Sequence, residues 1–310
     1  MNSKRLALWE SSRRSRVRES FRTLYFAFII NRRTLILIEV KNLTKNQGDE
    51  LVIDQVSFKL NNGAIYGVLD PIGDHKAALL ALLAGARKPD CGSVRINGFD
   101  TVTERTRATA CIGYMPKDLL PYPDMTPEEY LLLVAEAKNV DFELSLRYTQ
   151  ELIDTLDLRG RKRTLCKHLS LAESRRLSLA QALIGESDIL IVDDPTFNLN
   201  DRDARDILDR IISAAEEKTL FLGSTSLAVL RVVCDSILLL EDGKLCGIYV
   251  PGDSTLQSLY DDLCKKKQIA VNNSDATTVG IFKKKRGARR TARPEPERDG
   301  KYELIDDDEK

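Results

Sequence analysis

The sequence predicts an α/β fold, and two features of its residue pattern support this prediction. Three short, nearly continuous apolar runs, "AIYGVL", "DILIVDD" and "TLFLGST", are typical of strands buried inside a parallel sheet. Helical stretches separate these runs, as expected where crossover helices join parallel strands. Two further runs, "LVIDQVSFKL" and "SVRINGFD", are alternating or rich in β-forming residues and are bounded by Asn and Gly. They favour a second, antiparallel sheet.

The stretch from about 121 to 169 is predicted to be a helical subdomain. Its first helix begins at "TPEE", where Thr126 is the expected N-cap, Pro127 takes the first helical position and Glu129 closes a capping box. "FELSLRYTQELIDTLDL" then has the pattern of a second, amphipathic helix. We therefore expect this helical insert to lie between two of the buried strands.

The composition is that of an ordinary globular chain. The 310 residues are 43% apolar and 30% charged, which allows one large domain or two small ones with a sizeable core. The formal net charge is zero, but residues 1–37 hold nine Lys or Arg against two Glu. A basic leader on an acidic body is unlike a nucleic-acid-binding domain, which carries its basic face on the folded part, so we expect no nucleic-acid partner.

The domain boundaries follow from these changes in composition. Residues 1–34 form a basic leader with two open explanations, an amphipathic helix on a membrane surface or an artefact of the assigned translation start. Its apolar run "LYFAFII" is too short to span a bilayer. The main domain is expected at 35–265. It ends with an Asp-Gly hairpin in "LLLEDGKL" and a helix near "TLQSLYDDLCKKK".

Residues 266–310 are predicted to be a disordered, charged tail. "KKKRGARRTAR" has seven cations in eleven residues and "ELIDDDEK" has five acids, a pattern typical of solvated segments. Contact of the basic block with a membrane or a nucleic acid is the alternative. The six cysteines include no CxxC pair and there are only two histidines. Buried, reduced thiols are therefore expected rather than a zinc cluster or a disulfide framework.

The stretch "GVLDPIGDHKAALLALLAG", residues 67–85, has the outline of a phosphate-binding loop. An apolar strand leads into it, it contains a single lysine, and an apolar helical run follows. A working loop of this kind reads GxxxxGK[ST]. Its backbone N–H groups surround the phosphates, its lysine reaches the β- and γ-phosphates, and its hydroxyl binds Mg²⁺.

Five stretches in a fixed order extend this match, and together they resemble the nucleotide-binding domain of ABC transporters over roughly Ile38–Cys264. They are "GVLDPIGDHKAALLALLAG", "IGYMPKDLLPYPDMTPEEYL", "LSLAESRRLSLAQALIGE", "DILIVDDPTFNLND" and "LFLGSTSLAVLRVVCDSILLLEDGKL". In that family the five segments are the P-loop, the Q-loop, the signature helix, Walker B with the D-loop, and the switch region. The segment "YPDMTPEEYL" is similar to subunits that serve separate ABC-2-type exporter permeases.

The resemblance implies a P-loop NTPase core of the ABC ATPase type with an antiparallel β subdomain and a helical subdomain. It also implies ATP and Mg²⁺ as cofactors, although the loop departs from the working pattern. The nucleotide positions it assigns in the P-loop are Asp70, Gly73, Asp74, His75, Lys76, Ala77 and Ala78. Lys76 and Gly73 are retained, whereas Asp70 and His75 replace glycines and Ala77 replaces the hydroxyl residue. A carboxylate about 4 Å from a phosphate oxygen opposes binding by about 4 kcal/mol at an effective dielectric constant of 20.

The other assigned positions are also altered. Ser170 of the signature is kept, but Leu171, Ala172 and Glu173 replace its two glycines and its glutamine. The added bulk and charge stand where anion binding by a helix N-terminus needs open backbone. The Q-loop glutamine position is Lys117 and the switch histidine position is Ser226.

Walker B is the motif kept best. The resemblance assigns Asp193 to the Mg²⁺ side of the site and Asp194 to the position of the catalytic glutamate, one methylene shorter. Without the other motifs, Lys76 would be interpreted as an ordinary lysine at a helix start, and Asp193 and Asp194 as helix-capping acids. The adenine-stacking aromatic expected near "KNQGDE" is absent from that stretch.

These observations predict a degenerate subunit of an ABC transport complex, with weak or absent ATP binding and a structural or regulatory role. Expected partners are an integral membrane permease and a second nucleotide-binding domain, either a copy of this chain or a different one. Such a subunit would be cytoplasmic and peripheral on the inner face of the cell membrane. The alternatives are a slow but functional ATPase driving export, and a soluble interaction module without a transport role.

Overall fold

A computed structural model describes residues 37–71, 75–118, 121–185 and 187–266. The predicted leader and, apart from its first residue, the predicted tail lie outside these ranges. Gly73 and Asp74 of the phosphate loop also lie outside them.

The central element is a six-stranded sheet with the order β10-β9-β3-β8-β7-β6. Four of its five strand pairings are parallel, and only β10 runs antiparallel, against β9. Every residue of β3, β7 and β8 is buried, which confirms the prediction made from the three apolar runs. The strands are β3 (Ile65–Leu69), β6 (Ile112–Met115), β7 (Ile189–Asp193), β8 (Thr219–Ser224), β9 (Ser236–Glu241) and β10 (Lys244–Tyr249).

The predicted antiparallel sheet is also present, with the order β2-β1-β4-β5. Its strands are β1 (Leu37–Gln47), β2 (Glu50–Asn61), β4 (Cys91–Ile96) and β5 (Phe99–Asp100). The expected Asp-Gly hairpin joins β9 to β10, and its turn residues Asp242 and Gly243 have φ values of 49° and 80°. Two successive positive φ values are those of the tight turn that matches strand twist.

Eight α-helices occupy the described residues: α1 (His75–Leu83), α2 (Arg105–Ala110), α3 (Pro127–Ala137), α4 (Phe142–Thr155), α5 (Leu171–Leu183), α6 (Asp201–Ala214), α7 (Leu227–Val233) and α8 (Ser254–Lys266). The predicted capping box starts α3. The Thr126 Oγ1 accepts a hydrogen bond from the Glu129 N–H at 3.3 Å, and Glu129 Oε2 accepts one from the Thr126 N–H at 2.8 Å. The predicted helical subdomain consists of α3, α4 and two short 3₁₀ turns.

The six-stranded sheet has a hydrophobic core on each face, because successive strand residues point to opposite sides. Leu190 and Val192 of β7 belong to the core formed with helices α3 to α8. Ile189 and Ile191 belong to the core formed with α1 and the antiparallel sheet. Both faces of the central strands are therefore covered, as expected for a parallel sheet.

The cysteines only partly match the expectation of buried thiols. All six are free, and Cys166, Cys234 and Cys264 are buried. Cys91 and Cys246 are exposed, so the prediction was wrong for these two. Both lie on strands at or near a sheet edge, where alternate side chains face solvent.

Candidate functional site

The candidate site lies at one edge of the six-stranded sheet, where the parallel strands end. Asp70 directly follows β3, Lys117 lies two residues after β6, and Asp193 is the last residue of β7. Ser226 lies two residues after the end of β8. Because the carboxyl ends of parallel strands meet at one edge, the topology brings together these residues from widely separated parts of the chain.

Asp70 forms a contact with the start of α1. Its side chain is 2% exposed, and its Oδ2 accepts a hydrogen bond from the backbone N–H of Lys76 at 3.3 Å. The same oxygen lies 3.2 Å from Nδ1 of His75. Unpaired N–H groups and the helix dipole make a helix N-terminus favourable for anions. At α1 the chain's own carboxylate occupies that position.

Lys76 is paired with Asp194. Their Nζ and Oδ2 atoms are 2.9 Å apart, and the two side chains are 1% and 7% exposed. Burial lowers the pKa of Lys76, but the carboxylate of Asp194, with smaller contributions from Asp193 and Asp70, outweighs this and holds the pKa above its usual value. The lysine is therefore charged, and its charge is compensated inside the protein.

Asp193 is buried beside this pair. Burial raises the pKa of Asp193 to about 6, Lys76 counteracts the rise and Asp194 adds to it. Among the described residues, its Oδ1 has no hydrogen-bond partner. Gly223 on the neighbouring strand leaves room for the carboxylate, because a Cβ there would lie 2.8 Å from Oδ1.

The backbone bends sharply after β7. Asp194 has a φ of 39°, in the left-handed region that few non-glycine residues adopt. Its N–H donates to the Gly223 carbonyl at 3.0 Å, and its carbonyl accepts from the Phe197 N–H at 3.1 Å. These bonds fix the turn that directs the carboxylate of Asp194 towards Lys76.

Lys117 lies near the same carboxylate oxygen of Asp194. Its Nζ lies 4.0 Å from Oδ2 of Asp194 and 3.9 Å from the centroid of the Phe197 ring. The carbonyl of Lys117 accepts a hydrogen bond from the guanidinium of Arg175, on α5. Arg175 is 6% exposed, and burial lowers its pKa despite the nearby carboxylates.

The N-terminus of α5 is closed by the chain itself. Ser170 Oγ accepts from the Glu173 N–H at 3.2 Å, and Glu173 Oε2 accepts from the Ser170 N–H at 2.8 Å. The other oxygen of Glu173 accepts from Nε of Arg161 at 2.8 Å. Leu171, the first helical residue, is 38% exposed. The serine of the signature is thus an N-cap, and Glu173 completes a capping box.

Ser226 also caps a helix. Its Oγ accepts a hydrogen bond from the Val229 N–H at 3.4 Å at the start of α7, and its own N–H donates to Ser224 Oγ at 3.0 Å. Ala77 is half-buried and Ala78 is buried. Because alanine has no side-chain oxygen, each could offer a metal ion only its backbone carbonyl, which the helix engages. Gly73 and Asp74 lie outside the described residues.

The interpretation of the two acids as helix caps is wrong, whereas Lys76 does lie at a helix start. Asp193 and Asp194 lie at the end of a buried strand and cap no helix, since Asn200 is the N-cap of the next helix. Lys76 is at a helix start, but it is buried in an ion pair rather than solvated.

Sequence reasoning missed Arg175 and Phe197. Arg175 is a charged residue within a helix whose neighbouring positions are largely buried. Charged residues are rarely buried without a partner. The adjacent arginines Arg175 and Arg176 in this helix were therefore the available sequence signal for a buried, partnered arginine. Phe197 is an aromatic side chain in the turn after "VDDPT", and only the tertiary structure places it over Lys117.

Sequence comparisons relate the chain to known proteins. The family model described as ABC transporter matches residues 53–197. The chain is 30% identical over 213 residues to YdbJ of Bacillus subtilis, an uncharacterized ABC transporter ATP-binding protein, covering 67% of this chain and 68% of that protein. It is 28% identical over 208 residues to the Nod factor export ATP-binding protein I of Burkholderia orbicola, with the same coverage of each chain.

Solved structures show the same fold. A nucleotide-free ATP-binding cassette from an ABC transporter superposes with a TM-score of 0.63 at 19% identity, covering 73% of this chain and 96% of that one. A dimeric ATP-binding cassette in a post-hydrolysis state with ADP and Pi gives 0.62 at 21% identity, covering 70% and 99%. Within the described ranges, no helix combines the length and apolarity needed to cross a bilayer. The chain belongs to the ABC transporter ATP-binding family and has the P-loop NTPase fold of its cassettes.

Proposed function

We propose that this chain is an ATP-binding-type subunit of an ABC transporter complex that hydrolyses ATP weakly or not at all and has a structural or regulatory role. The observation that carries the proposal is the buried ion pair between Lys76 and Asp194. It joins the lysine expected to reach phosphate to the carboxylate at the position of the catalytic base. A nucleotide must break this pair before either side chain is available to it.

Asp70 supports the same conclusion at the start of α1. Its carboxylate accepts the Lys76 N–H, one of the backbone donors that would otherwise face a phosphate. A phosphate approaching this helix end would meet a negative charge at short range, which opposes binding by about 4 kcal/mol at 4 Å and an effective dielectric constant of 20. The helix N-terminus and the lysine therefore both have internal anionic partners.

The described residues do not fit Mg²⁺. This ion requires near-octahedral oxygen ligands and is usually held by one or two carboxylates together with a hydroxyl, substrate phosphates or water. Ala77 has no hydroxyl and Lys117 offers an ammonium instead of an oxygen. Asp194 is ion-paired with Lys76, and Asp193 has one side-chain oxygen without a hydrogen-bond partner among the described residues.

The N-terminus of α5, the helix that matches the signature segment, is altered in a way that also opposes nucleotide binding. Its N-terminal donors are satisfied by Ser170 and Glu173, and Leu171 adds apolar bulk at the helix start. In a head-to-tail pair of cassettes, a nucleotide on the partner would face this closed helix end. Both halves of a composite site made by two copies would thus be impaired.

The expected partners are a membrane permease and a second nucleotide-binding domain, a copy or a different chain. The subunit would then be peripheral on the inner face of the cell membrane. Membership of the family supports this arrangement, and one relative is named for Nod factor export. Co-purification with a membrane protein tests it. Recovery of the chain only as a free species from detergent extracts would favour the soluble interaction module instead.

Titration calorimetry with ATP, with and without Mg²⁺, tests the defect in binding. The wild-type chain should bind with a dissociation constant above about 1 mM, weaker than about −4 kcal/mol. Asp70→Asn removes one opposing charge with little change of shape and should tighten binding by about tenfold or more. Asp124→Asn, in an exposed pair with Lys167, is the matched control and should change nothing.

The same titration distinguishes the proposed function from the main alternative, which is a slow ATPase that uses Lys76, Asp193 and Asp194. The names of the relatives as ATP-binding proteins favour this alternative. Micromolar binding of Mg-ATP by the wild type, together with steady phosphate release that Asp194→Asn abolishes, would establish it and overturn the proposed defect.

A further inference from the structure

Lys117 occupies an unusual position for a lysine. Its ammonium lies 4.0 Å from a carboxylate oxygen of Asp194 and 3.9 Å from the centre of the Phe197 ring, and its side chain is only 19% exposed. Lysine side chains are ordinarily solvated at the surface. The loss of hydration must here be offset by the carboxylate and by the ring.

We propose that Lys117 is a tethered cation that takes the place of a divalent metal ion beside Asp193 and Asp194 and excludes such ions from the site. The proposal rests on the proposed function and deepens it, because it states what replaces the metal. It also explains how two adjacent buried carboxylates are tolerated without a metal ion.

The balance of charge in the cluster supports this assignment. The two carboxylates at the end of β7 face two ammonium groups, those of Lys76 and Lys117, and both ammonium groups act on Asp193 as well as on Asp194. Asp70 and Asp118 add further carboxylates to the surroundings of the cluster, and Arg175 adds a further cation. A divalent cation entering this cluster would add two positive charges next to two carboxylates whose charges Lys76 and Lys117 already offset.

The Phe197 ring gives the Lys117 ammonium a second contact besides that with Asp194. A cation over the face of an aromatic ring is attracted by the ring quadrupole, and the attraction is larger when the cation is partly desolvated. At 3.9 Å from the centroid, Nζ is well within the range of this interaction. The ring and the carboxylate therefore define one position for the ammonium.

Arg175 fixes the backbone from which Lys117 extends. Its guanidinium donates to the Lys117 carbonyl, and the arginine itself is buried on α5. The distance between the ammonium and the carboxylates is thereby tied to the position of α5. A metal ion could enter only if this segment moved away from α5 or if the lysine rotated out.

Binding of Mn²⁺ alone, without nucleotide, tests the proposal. Free Mn²⁺ is followed by electron paramagnetic resonance during titration of the full chain. Lys117→Gln should create one additional site per chain, at least about tenfold tighter than any site of the wild type. If Lys117→Gln does not fold, Lys117→Met, which also removes the charge, replaces it in the titration. Phe197→Leu should produce a smaller gain in the same direction, because the charge remains but its position is no longer fixed.

Two control variants assign the new site. The double variant with Asp193→Asn and Lys117→Gln should lose the Mn²⁺ binding gained by Lys117→Gln alone. The single variant Lys167→Gln removes an exposed lysine and should bind Mn²⁺ as the wild type does. Equal Mn²⁺ affinity in the wild type and in folded Lys117 variants overturns the proposal. That result is independent of ATP affinity, so it is distinguishable from micromolar ATP binding by the wild type, which would overturn the proposed function.

Discussion

The ammonium of Lys76 lies 2.9 Å from the carboxylate of Asp194, and both side chains are almost completely buried. The two residues are far apart in sequence and come from the start of α1 and the turn after β7. Removing one member of a buried pair leaves an uncompensated charge in a low-dielectric environment. The pair is therefore a structural link between two elements of the core, and under the proposed function it also opposes nucleotide binding.

Asp194→Asn should lower the free energy of unfolding by about 3 kcal/mol, because it leaves the buried Lys76 without its nearest carboxylate. Asparagine is nearly isosteric and tolerates the left-handed backbone at this position, so backbone strain does not confuse the result. Urea denaturation followed by circular dichroism measures the change.

The exposed pair between Lys167 and Asp124 is the comparison for this measurement, with side chains 45% and 81% exposed. Asp124→Asn should leave the denaturation midpoint almost unchanged, since exposed ion pairs contribute little. Equal effects of the two substitutions would show that Lys76 is compensated without Asp194.

Stability should depend on the ionisation of Asp193. Its pKa rises from 3.8 to about 6 in the folded protein, so the folded state binds the proton more tightly than the unfolded state. Stability from this residue is fully present below about pH 4 and is lost as the pH rises through about 6. At pH 7 the buried carboxylate costs on the order of 3 kcal/mol.

Asp193→Asn should therefore stabilise the protein at pH 7, and the difference from the wild type should shrink as the pH falls towards 4. Thermal or urea unfolding at a series of pH values measures both. A difference that stays constant with pH would mean that Asp193 has an ordinary pKa.

Restoring the phosphate loop should restore binding without turnover. The combined variant carries Asp70→Gly, Ile72→Asn, Asp74→Ala, His75→Gly, Ala77→Ser and Ala78→Thr. It removes two carboxylates and returns the hydroxyl, so ATP affinity should rise by at least about tenfold.

Hydrolysis in this variant should stay negligible, because several other positions remain altered. Asp194 is still shorter than a glutamate and paired with Lys76, Ser226 is still a helix cap, and the end of α5 is still closed. Acid–base and charge-stabilising groups contribute about 10²-fold or more each. Phosphate release at about one per second or faster would instead place nearly the whole defect in the loop.

Gly113→Ala should be strongly destabilising. A Cβ at this position in β6 would lie 2.2 Å from the carbonyl oxygen of Ala182, so α5 would have to move away from the strand. Overpacking of this kind costs about 1–3 kcal/mol and sometimes more. Gly160→Ala is the control, since nothing lies within 4 Å of its added Cβ. Thermal unfolding of both variants decides whether the close approach of β6 and α5 is essential.

Deletion of residues 271–310 should leave the melting temperature of the core almost unchanged. The segment has charged blocks and no apolar periodicity, so the sequence offers little surface for it to bury. Differential scanning calorimetry of the shortened chain measures this. A decrease of more than a few degrees would show that the tail packs on the core.

The sequence by itself determined the class of fold and the places of the motifs. Continuous apolar runs specified β3, β7 and β8, because strands covered on both faces need apolar side chains at every position. The alternating runs, the capping box at Thr126 and the Asp-Gly turn specified their elements through local backbone chemistry. The sequence also placed Lys76, Asp193 and Asp194 in their motifs, since the order of the five segments survives the altered residues.

Only the tertiary structure decided what the altered residues do. From the sequence, Asp70 and Asp194 are charges near an expected phosphate. The structure shows Asp70 hydrogen-bonded to the start of α1 and Asp194 ion-paired with Lys76. The contacts of Lys117 with Asp194 and Phe197 join loops that follow different strands. Such contacts depend on strand order and on which loops meet at the sheet edge. The local sequence carries neither, because residue spacing along the chain does not fix distances between loops.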